Sequence, residues 1–199
     1  DSLCMSLITN EFSKFQKQYP HVNLKVMTAG TEELFSLLDH NEVDIVCTLD
    51  KHIYNQSYVI ANEEKIGVHF VVSSKNPLAK KEKIVIDDLL LEPFLLTERG
   101  MSYRGLLDEN LARNSREIQP VLEMGNTDLI CRLVEEDAGV SFLPDYVTED
   151  AVNKGTVKRL SVEDFDVELW KQILYRRDKW VSLQMTAIIH HLSEIYLGN

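Results

Sequence analysis

Apolar residues return every three or four positions at the start of the chain, at Leu3, Leu7, Ile8, Phe12 and Phe15. This spacing predicts an amphipathic helix over residues 3–19 that stops before Pro20. The period then drops to two: Val22, Leu24 and Val26 alternate with polar neighbours and predict a strand. Thr28-Ala29-Gly30-Thr31 supplies a turn, residues 31–38 read as a helix, and residues 43–49 as a short buried strand. Strand, helix and strand in that order predict a β-α-β unit, hence a parallel pair joined by a right-handed crossover. Residues 58–61 and 66–74 read as further strands, split by the charged turn Asn62-Glu63-Glu64-Lys65. The polar, proline-containing stretch 75–83 reads as a boundary.

Beyond that boundary the alternation resumes, with a strand at Phe94-Leu95-Leu96, a helix over 102–113, a strand over 118–124 and a helix over 127–137. The run from Asp137 to Val147 then reads as helix end, strand and helix start. Gly139 suits the left-handed position that closes a helix, and Pro144 suits the first turn of the next. Between them Val140, Phe142 and Leu143 form an apolar burst too short for a helix, as expected of a strand in a parallel sheet. The last helix, over residues 180–197, carries Leu183, Ala187, Ile188, Leu192 and Ile195 on one stripe. With no strand after it, it is expected to return to an existing block. Two α/β blocks are the architecture this order implies.

Composition narrows the function classes. A chain of 199 residues with 44% hydrophobic content can bury a core as one large domain or two small ones. No apolar stretch approaches the roughly 20 residues needed to cross a bilayer, and the first residues lack a signal peptide's basic start and apolar centre. The formal charge of −11 argues against this chain gripping a nucleic-acid backbone by itself. Lys80, Lys81 and Lys83 are interrupted by Glu82, and Arg176-Arg177 is followed by Asp178, so no basic cluster forms. Cys4, Cys47 and Cys131 are odd in number and lack metal-ligand spacing, which suits a reducing, cytoplasmic compartment. Cys47 is expected to be a small buried hydrophobe; Cys4 and Cys131 fall near predicted helix starts, where a thiol can acidify, which leaves a redox role open.

Four predicted strand-to-helix turns share small hydroxyl or amide residues: Asp1-Ser2, Gly30-Thr31, Gly100-Met101-Ser102 and Gly125-Asn126-Thr127. In an open parallel sheet such turns lie at the carboxyl ends of the strands, where ligands bind, and free N–H groups at helix starts attract anions. A small anion or carboxylate is the ligand class this composition suits. The competing expectation is that Ser2, Thr31, Ser102 and Thr127 only cap their helices. Catalytic patterns are missing: the chain has no GxSxG, HExxH, P-loop or GxGxxG. His190-His191 are adjacent on a helix and point to different faces, so a shared metal is not expected. Asp87-Asp88 and Glu135-Glu136-Asp137 read as helix-end or surface charges. Neither an enzyme nor a cofactor is expected.

Several stretches, in order, resemble the effector-binding regulatory domain of LysR-type transcriptional regulators over nearly the whole length. They are Phe12 through Pro20-His21-Val22, Glu33-Leu34 through Leu38 into Val43-Asp44-Ile45, and Asn76-Pro77-Leu78-Ala79. To these add Leu106-Leu107-Asp108, Glu123 through Leu133-Val134, and the run from Asp137 to Val147. The resemblance implies an α/β fold like type II periplasmic binding proteins: two Rossmann-like subdomains joined by two crossover strands, with a ligand cleft between them. Carried over, subdomain I is 1–72 plus 174–199 and subdomain II is 73–173, with crossovers near Phe70-Val71-Val72 and Ile173-Leu174-Tyr175. Family effector contacts then fall on Ser2, Gly30, Thr31, Thr97, Glu98, Ser102, Asn126 and Thr127. Arg99 and Arg104 are candidates for a cation facing an acidic effector, with surface ion pairing as the alternative for each. The peroxide-sensing branch carries a reactive cysteine in the loop matching residues 100–103; none stands here.

The resemblance further implies a homodimer or tetramer, pairing the helix from Leu7 to Phe15 of one subunit with the helix from Leu129 to Val134 of another. The winged helix-turn-helix, linker helix and first sheet strand of the family precede the residue matching Asp1. None is present, so the chain reads as part of a longer protein that contacts DNA only through that N-terminal portion. A solute-binding protein of a transporter, with the same fold, is the main alternative, and an enzyme such as a dehydratase on this architecture the third.

Overall fold

A computed structural model describes residues 12–196, the side chain of Tyr196 excepted. The chain divides into two compact units, residues 1–65 with 170–199 and residues 66–169.

In the first unit, α1 (Phe12–Gln18) and α2 (Thr31–Asp39) precede β1 (Val46–Asp50) and β2 (Tyr58–Ile66). The chain returns much later as β8 (Leu169–Arg176) and α7 (Leu183–Tyr196). The sheet order is β1-β8-β2, and β8 runs antiparallel to β1 from Val46↔Leu174 to Asp50↔Trp170. Alternation sorts the side chains to two faces. Leu38 of α2 packs with Val46, Tyr58 and Leu174, while Ile173 faces the other way with Ile45, Cys47, Ala61 and Leu192 of α7. One helix therefore covers each face. Phe15 of α1 is buried against the ring of His191 at 4.9 Å, which ties α1 to α7.

Two expectations fail in this unit. Residues 22–26 form no strand, and Leu24, Val26 and Met27 are exposed. Their alternation is that of an extended segment, but a strand exists only where a neighbour supplies hydrogen-bond partners, and no described strand does so here. The parallel β-α-β pairing is therefore replaced by the antiparallel β1–β8 pair. The charged turn at 62–65 is also absent, because β2 continues to Ile66. Its charged side chains find partners beside the sheet: Gln172 Nε2 donates to Glu63 at 2.9 Å, and Lys171 lies 3.8 Å from Glu64.

The second unit contains β3 (Val68–Ser73), α3 (Ile86–Leu89), β4 (Leu95–Leu96), α4 (Ser102–Arg113), β5 (Leu122–Glu123), α5 (Thr127–Glu135), β6 (Ser141–Pro144), α6 (Asp145–Asn153) and β7 (Val157–Leu160). β3 lies between β6 and β7, antiparallel to both, and β4 pairs in parallel with β5. A parallel bridge from Phe94 to Val140 links the β4 segment to the β6 segment. One face packs Val71, Leu95 and Leu143 against Ile130 and Val134 of α5 and Ala151 of α6. On the other, Phe70 contacts Phe142 at 4.9 Å and Phe165 at 4.8 Å.

The unit boundaries fall at 65/66 and 169/170 rather than at 72/73 and 173/174. β3 is the reason: its ladder partners, β6 and β7, both belong to the second unit. The polar stretch 75–83 is no boundary either. It holds a 3-10 turn, Pro77–Lys80, whose Leu78 and Ala79 are buried and whose Asn76 side chain caps the Leu78 N–H at 2.9 Å. The left-handed residue that closes α5 is Asp137 (φ 64°), with Asp137 N–H on Val134 O and Ala138 N–H on Leu133 O, both at 3.0 Å. Gly139 has another duty: a Cβ there would stand 2.2 Å from the Pro93 carbonyl oxygen. Pro144 takes the N-cap of α6 rather than its first turn. The last helix starts at Leu183, three residues later than its pattern begins, with Ser182 Oγ accepting from the Met185 N–H at 3.1 Å. Among the described residues no helix is long and apolar enough to cross a membrane.

Candidate functional site

The carboxyl ends of three strand segments in the second unit lead directly into helices. β4 runs through Thr97-Glu98 to α4, β5 through Gly125-Asn126 to α5, and β6 from Pro144 into α6. Because β4 and β5 are parallel and Phe94 bridges Val140 in parallel, these ends share one edge of the sheet. Helix starts gathered there present N–H groups with no intrahelical partner and the positive end of each helix dipole.

Thr97, Glu98, Ser102, Asn126 and Thr127 all lie on this edge. Gly30 and Thr31 lie in the first unit, at the start of α2, and Ser2 lies outside the described residues. Simple capping does not account for the hydroxyls. The N-caps of α2, α4 and α5 are Gly30, Met101 and Asn126, and of these only Asn126 caps with its side chain, accepting from Leu129 N–H at 3.0 Å. Thr31 donates to Asp50 Oδ2 at 2.6 Å, so its proton is committed to β1. It also lines an open groove of about 570 Å³ with Phe35, Asp39 and Tyr58. Ser102, the first residue of α4, is half-buried.

Thr127 differs from these. Its side chain is 4% exposed, and its Oγ1 has no hydrogen-bond partner among the described residues. A buried hydroxyl in that state costs about 1–3 kcal/mol. Glu98 is exposed, and its carboxylate lies beside Gly125, 3.6 Å from where a Cβ would project.

The two arginines separate. Arg99 is exposed and lies 3.8 Å from Glu117, a surface pair. Arg104 is 1% exposed and is neither a surface pair nor a free cation. Its Nε donates to both carboxylate oxygens of Asp108, at 2.9 and 3.0 Å. Its Nη1 donates to the Thr97 carbonyl at 2.7 Å and to Glu123 at 3.2 Å. The guanidinium thus fastens α4 to the ends of β4 and β5, whose own ladder is only two residues long. Nη2 is buried without a partner among the described residues.

Tyr103 was not among the residues expected from the sequence. It is 4% exposed at the second position of α4, and its hydroxyl is set against the Thr97 side chain. Burial, reinforced by the nearby Tyr146 at the start of α6, pushes the phenol pKa up, with the Thr97 side chain opposing. The group therefore stays a proton donor. The available signal was its adjacency to Ser102 in a strand-to-helix turn.

Cys131 does not fit a redox role. It is the fifth residue of α5, buried, and its thiol pKa is raised by burial and then by Glu135 and Asp128. Cys4 lies outside the described residues. Among the described residues no group of three or more His, Cys, Asp or Glu side chains could hold a metal.

A family model described as the LysR substrate binding domain matches residues 1–196. The HTH-type transcriptional regulator YwqM of Bacillus subtilis is 25% identical over 190 residues, covering 95% of this chain and 64% of that protein. The HTH-type transcriptional activator CmpR of Synechocystis is 24% identical, covering 90% and 59%. The chain thus spans about three fifths of the length of these relatives. Among solved structures, the Synechocystis CcmR regulatory domain in complex with 2-PG superposes with a TM-score of 0.70 at 18% identity, covering 91% of this chain and 86% of that one. The effector binding domain of QuiR in complex with shikimate gives 0.66 at 17%, covering 94% and 88%. These likenesses give the fold: two α/β units of the type II periplasmic-binding-protein kind.

Proposed function

This chain belongs to the LysR substrate-binding-domain family, and from that premise we propose that it is the effector-sensing part of a LysR-type transcriptional regulator. The observation that carries the site is the Thr127 hydroxyl, buried at the start of α5 and without a partner among the described residues. It stands on the sheet edge shared with Thr97, Glu98, Ser102 and Asn126. The effector class is a small acid. Its oxygens accept from hydroxyl groups and from backbone N–H groups at the starts of α4 and α5. CcmR with 2-PG and QuiR with shikimate support this class, since both structures hold small oxygen-rich acids.

Binding acts on transcription through a difference in affinity between two states of the regulator, since equal affinity for both shifts nothing. The readout passes to DNA through an N-terminal helix-turn-helix of the kind that gives the relatives their names. Subunits pair through the segment from Leu7 to Phe15, of which the residues before Phe12 lie outside those described, and the helix from Leu129 to Val134. In the latter, Ile130, Cys131 and Val134 face the core, which leaves Leu129 as its exposed apolar contact. The chain works in the cytoplasm, binding its ligand without turnover.

The test is a thermal-shift screen of small organic acids, beginning with shikimate and 2-PG, followed by calorimetry on Thr127→Val and Ser102→Ala. A ligand that binds only the folded chain raises its melting temperature. Affinity should fall at least tenfold in Thr127→Val. Parent-like affinity in both variants would refute the site.

A further inference from the structure

The groove of about 570 Å³ on the first unit runs along one face of α2, against the loop that joins β1 to β2. Its floor is apolar: Phe35 and Ile53 are half-buried, Tyr58 is 7% exposed, and the Phe35 and Tyr58 rings lie 5.0 Å apart. The loop that walls it is held in place. Gln172, wholly buried on β8, accepts from the Ile53 N–H at 2.7 Å and donates to the Ile53 carbonyl at 3.1 Å, while Asn55 accepts from the Ser57 N–H at 2.9 Å. Two exposed carboxylates, Glu32 and Asp39, line the same groove. They stand seven residues apart on α2, hence on one face of the helix and roughly 10 Å apart along its axis.

Charge decides what such a groove can hold. Among the described residues that line it there is no lysine or arginine. Arg176, which reaches α2, is spent: Nε and Nη2 donate to Asp178 at 2.8 and 2.6 Å, and Nη1 donates to the Asp39 carbonyl. The Thr31 hydroxyl is committed to Asp50, and the His40 Nδ1 lies 2.7 Å from the Ser36 carbonyl. The Tyr58 hydroxyl donates to Asp39 Oδ1 at 2.9 Å, which leaves the other carboxylate oxygen for a ligand. An anion would meet two carboxylates here, whereas a cation would meet two acceptors beside aromatic rings. We propose that this groove binds an organic cation, an aliphatic diamine or polyamine whose ammonium ends reach Glu32 and Asp39 and whose chain lies over Ile53 and the Phe35 and Tyr58 rings. The spacing of the carboxylates makes ligand length the discriminating property, and their exposure makes affinity fall as salt rises. The ligand is opposite in charge to the small acid proposed for the second unit, and Glu32 and Asp39 are not among the expected effector contacts. The two sites therefore stand or fall separately.

The experiment is thermal melting and calorimetry of the chain with spermidine as the probe. Ethylenediamine, too short to join the two carboxylates, and butylamine, with one ammonium, serve as comparisons. Spermidine should raise the melting temperature and bind at least tenfold more tightly than either. Glu32→Gln and Asp39→Asn should each lower spermidine affinity at least fivefold. Both should fold, since Glu32 is exposed and asparagine still offers Tyr58 an acceptor oxygen. Glu149→Gln, which removes an exposed carboxylate from α6 of the second unit, should bind spermidine as the parent does. Parent-like affinity in either Glu32→Gln or Asp39→Asn would reduce the binding to general attraction toward a chain of net charge −11, and would overturn the proposal. So would the absence of any melting shift at millimolar spermidine, or equal affinity for butylamine. The small-acid screen reads the other site: its failure would leave this groove untouched, and loss of spermidine binding would leave the effector-sensing role intact.

Discussion

Arg104→Met tests whether a buried guanidinium holds the candidate site in shape. Methionine keeps much of the apolar stem, so the loss is concentrated in the guanidinium's hydrogen bonds. The Thr97 carbonyl, which accepts from Nη1 at 2.7 Å, sits on a buried residue and would be left without that partner, costing about 1–3 kcal/mol. Asp108 and Glu123 behave differently, because their side chains are 40% and 36% exposed and recover water when the arginine leaves. Their share therefore falls well below the roughly 3–5 kcal/mol expected when a fully buried pair is broken. Against this, methionine removes the buried Nη2 that has no partner, returning about 1 kcal/mol. The carbonyl and the two carboxylates still outweigh that gain, and the net expectation is a loss of about 2–3 kcal/mol, seen as a melting temperature lower by roughly 4–12 °C. Urea denaturation followed by circular dichroism measures it directly. Arg104→Lys should recover only part, since an ammonium cannot span Asp108 and the β4–β5 ends with one rigid fork. Stability within 0.5 kcal/mol of the parent for Arg104→Met, about the limit for an ordinary surface substitution, would refute the assignment of Arg104 as the strut of this edge.

Gly139→Ala should be among the most damaging single substitutions. Its Cβ would meet the Pro93 carbonyl, which is fixed by accepting from Val140 N–H at 2.8 Å, so a loss of about 3 kcal/mol or more in urea denaturation is expected. Asp137→Gly should raise stability by about 0.5–1 kcal/mol in the same assay, because φ 64° strains any side chain at the close of α5. For pH, Asp88 is held below the usual carboxylate range first by its hydrogen bond with Lys81, and Asp178 first by its hydrogen bond with Arg176. With folded values depressed, their stabilisation is complete above the unfolded value of about 3.9 and is lost as pH falls through the folded values. The urea midpoint should therefore fall below about pH 4. Asp88→Asn and Asp178→Asn should flatten that acid limb, and an unchanged limb in the double variant would count against both pairs.

Local patterns carried far in some places and failed in others for identifiable reasons. The helix beginning at Ser102 and ending at Arg113 was legible because its period is local, and so was the α5–β6–α6 passage, because breakers flank a short apolar run. Residues 22–26 have strand alternation yet no ladder, since pairing depends on a neighbour from elsewhere in the chain. The charge of Glu63, Glu64 and Lys65 suggests a turn, whereas β2 passes through them with Gln172 and Lys171 from β8 as partners of the two glutamates. The turns bearing Thr97, Ser102 and Thr127 were legible as a class of residue at strand ends. Which hydroxyl is free was not, because that depends on what each side chain meets.

By itself the sequence determined the alternation of helix and strand in two blocks, the acidic net charge and the family to which the chain belongs, since all three reside in composition and order. Tertiary structure alone decided that β3 belongs to the second unit, that Arg104 is spent on Asp108, Glu123 and the Thr97 carbonyl, and that Thr127 keeps a buried hydroxyl without a partner among the described residues. The physical reason is range: helix and strand periods are written within a few residues, whereas the satisfaction of a buried polar group is settled by residues brought from distant parts of the chain.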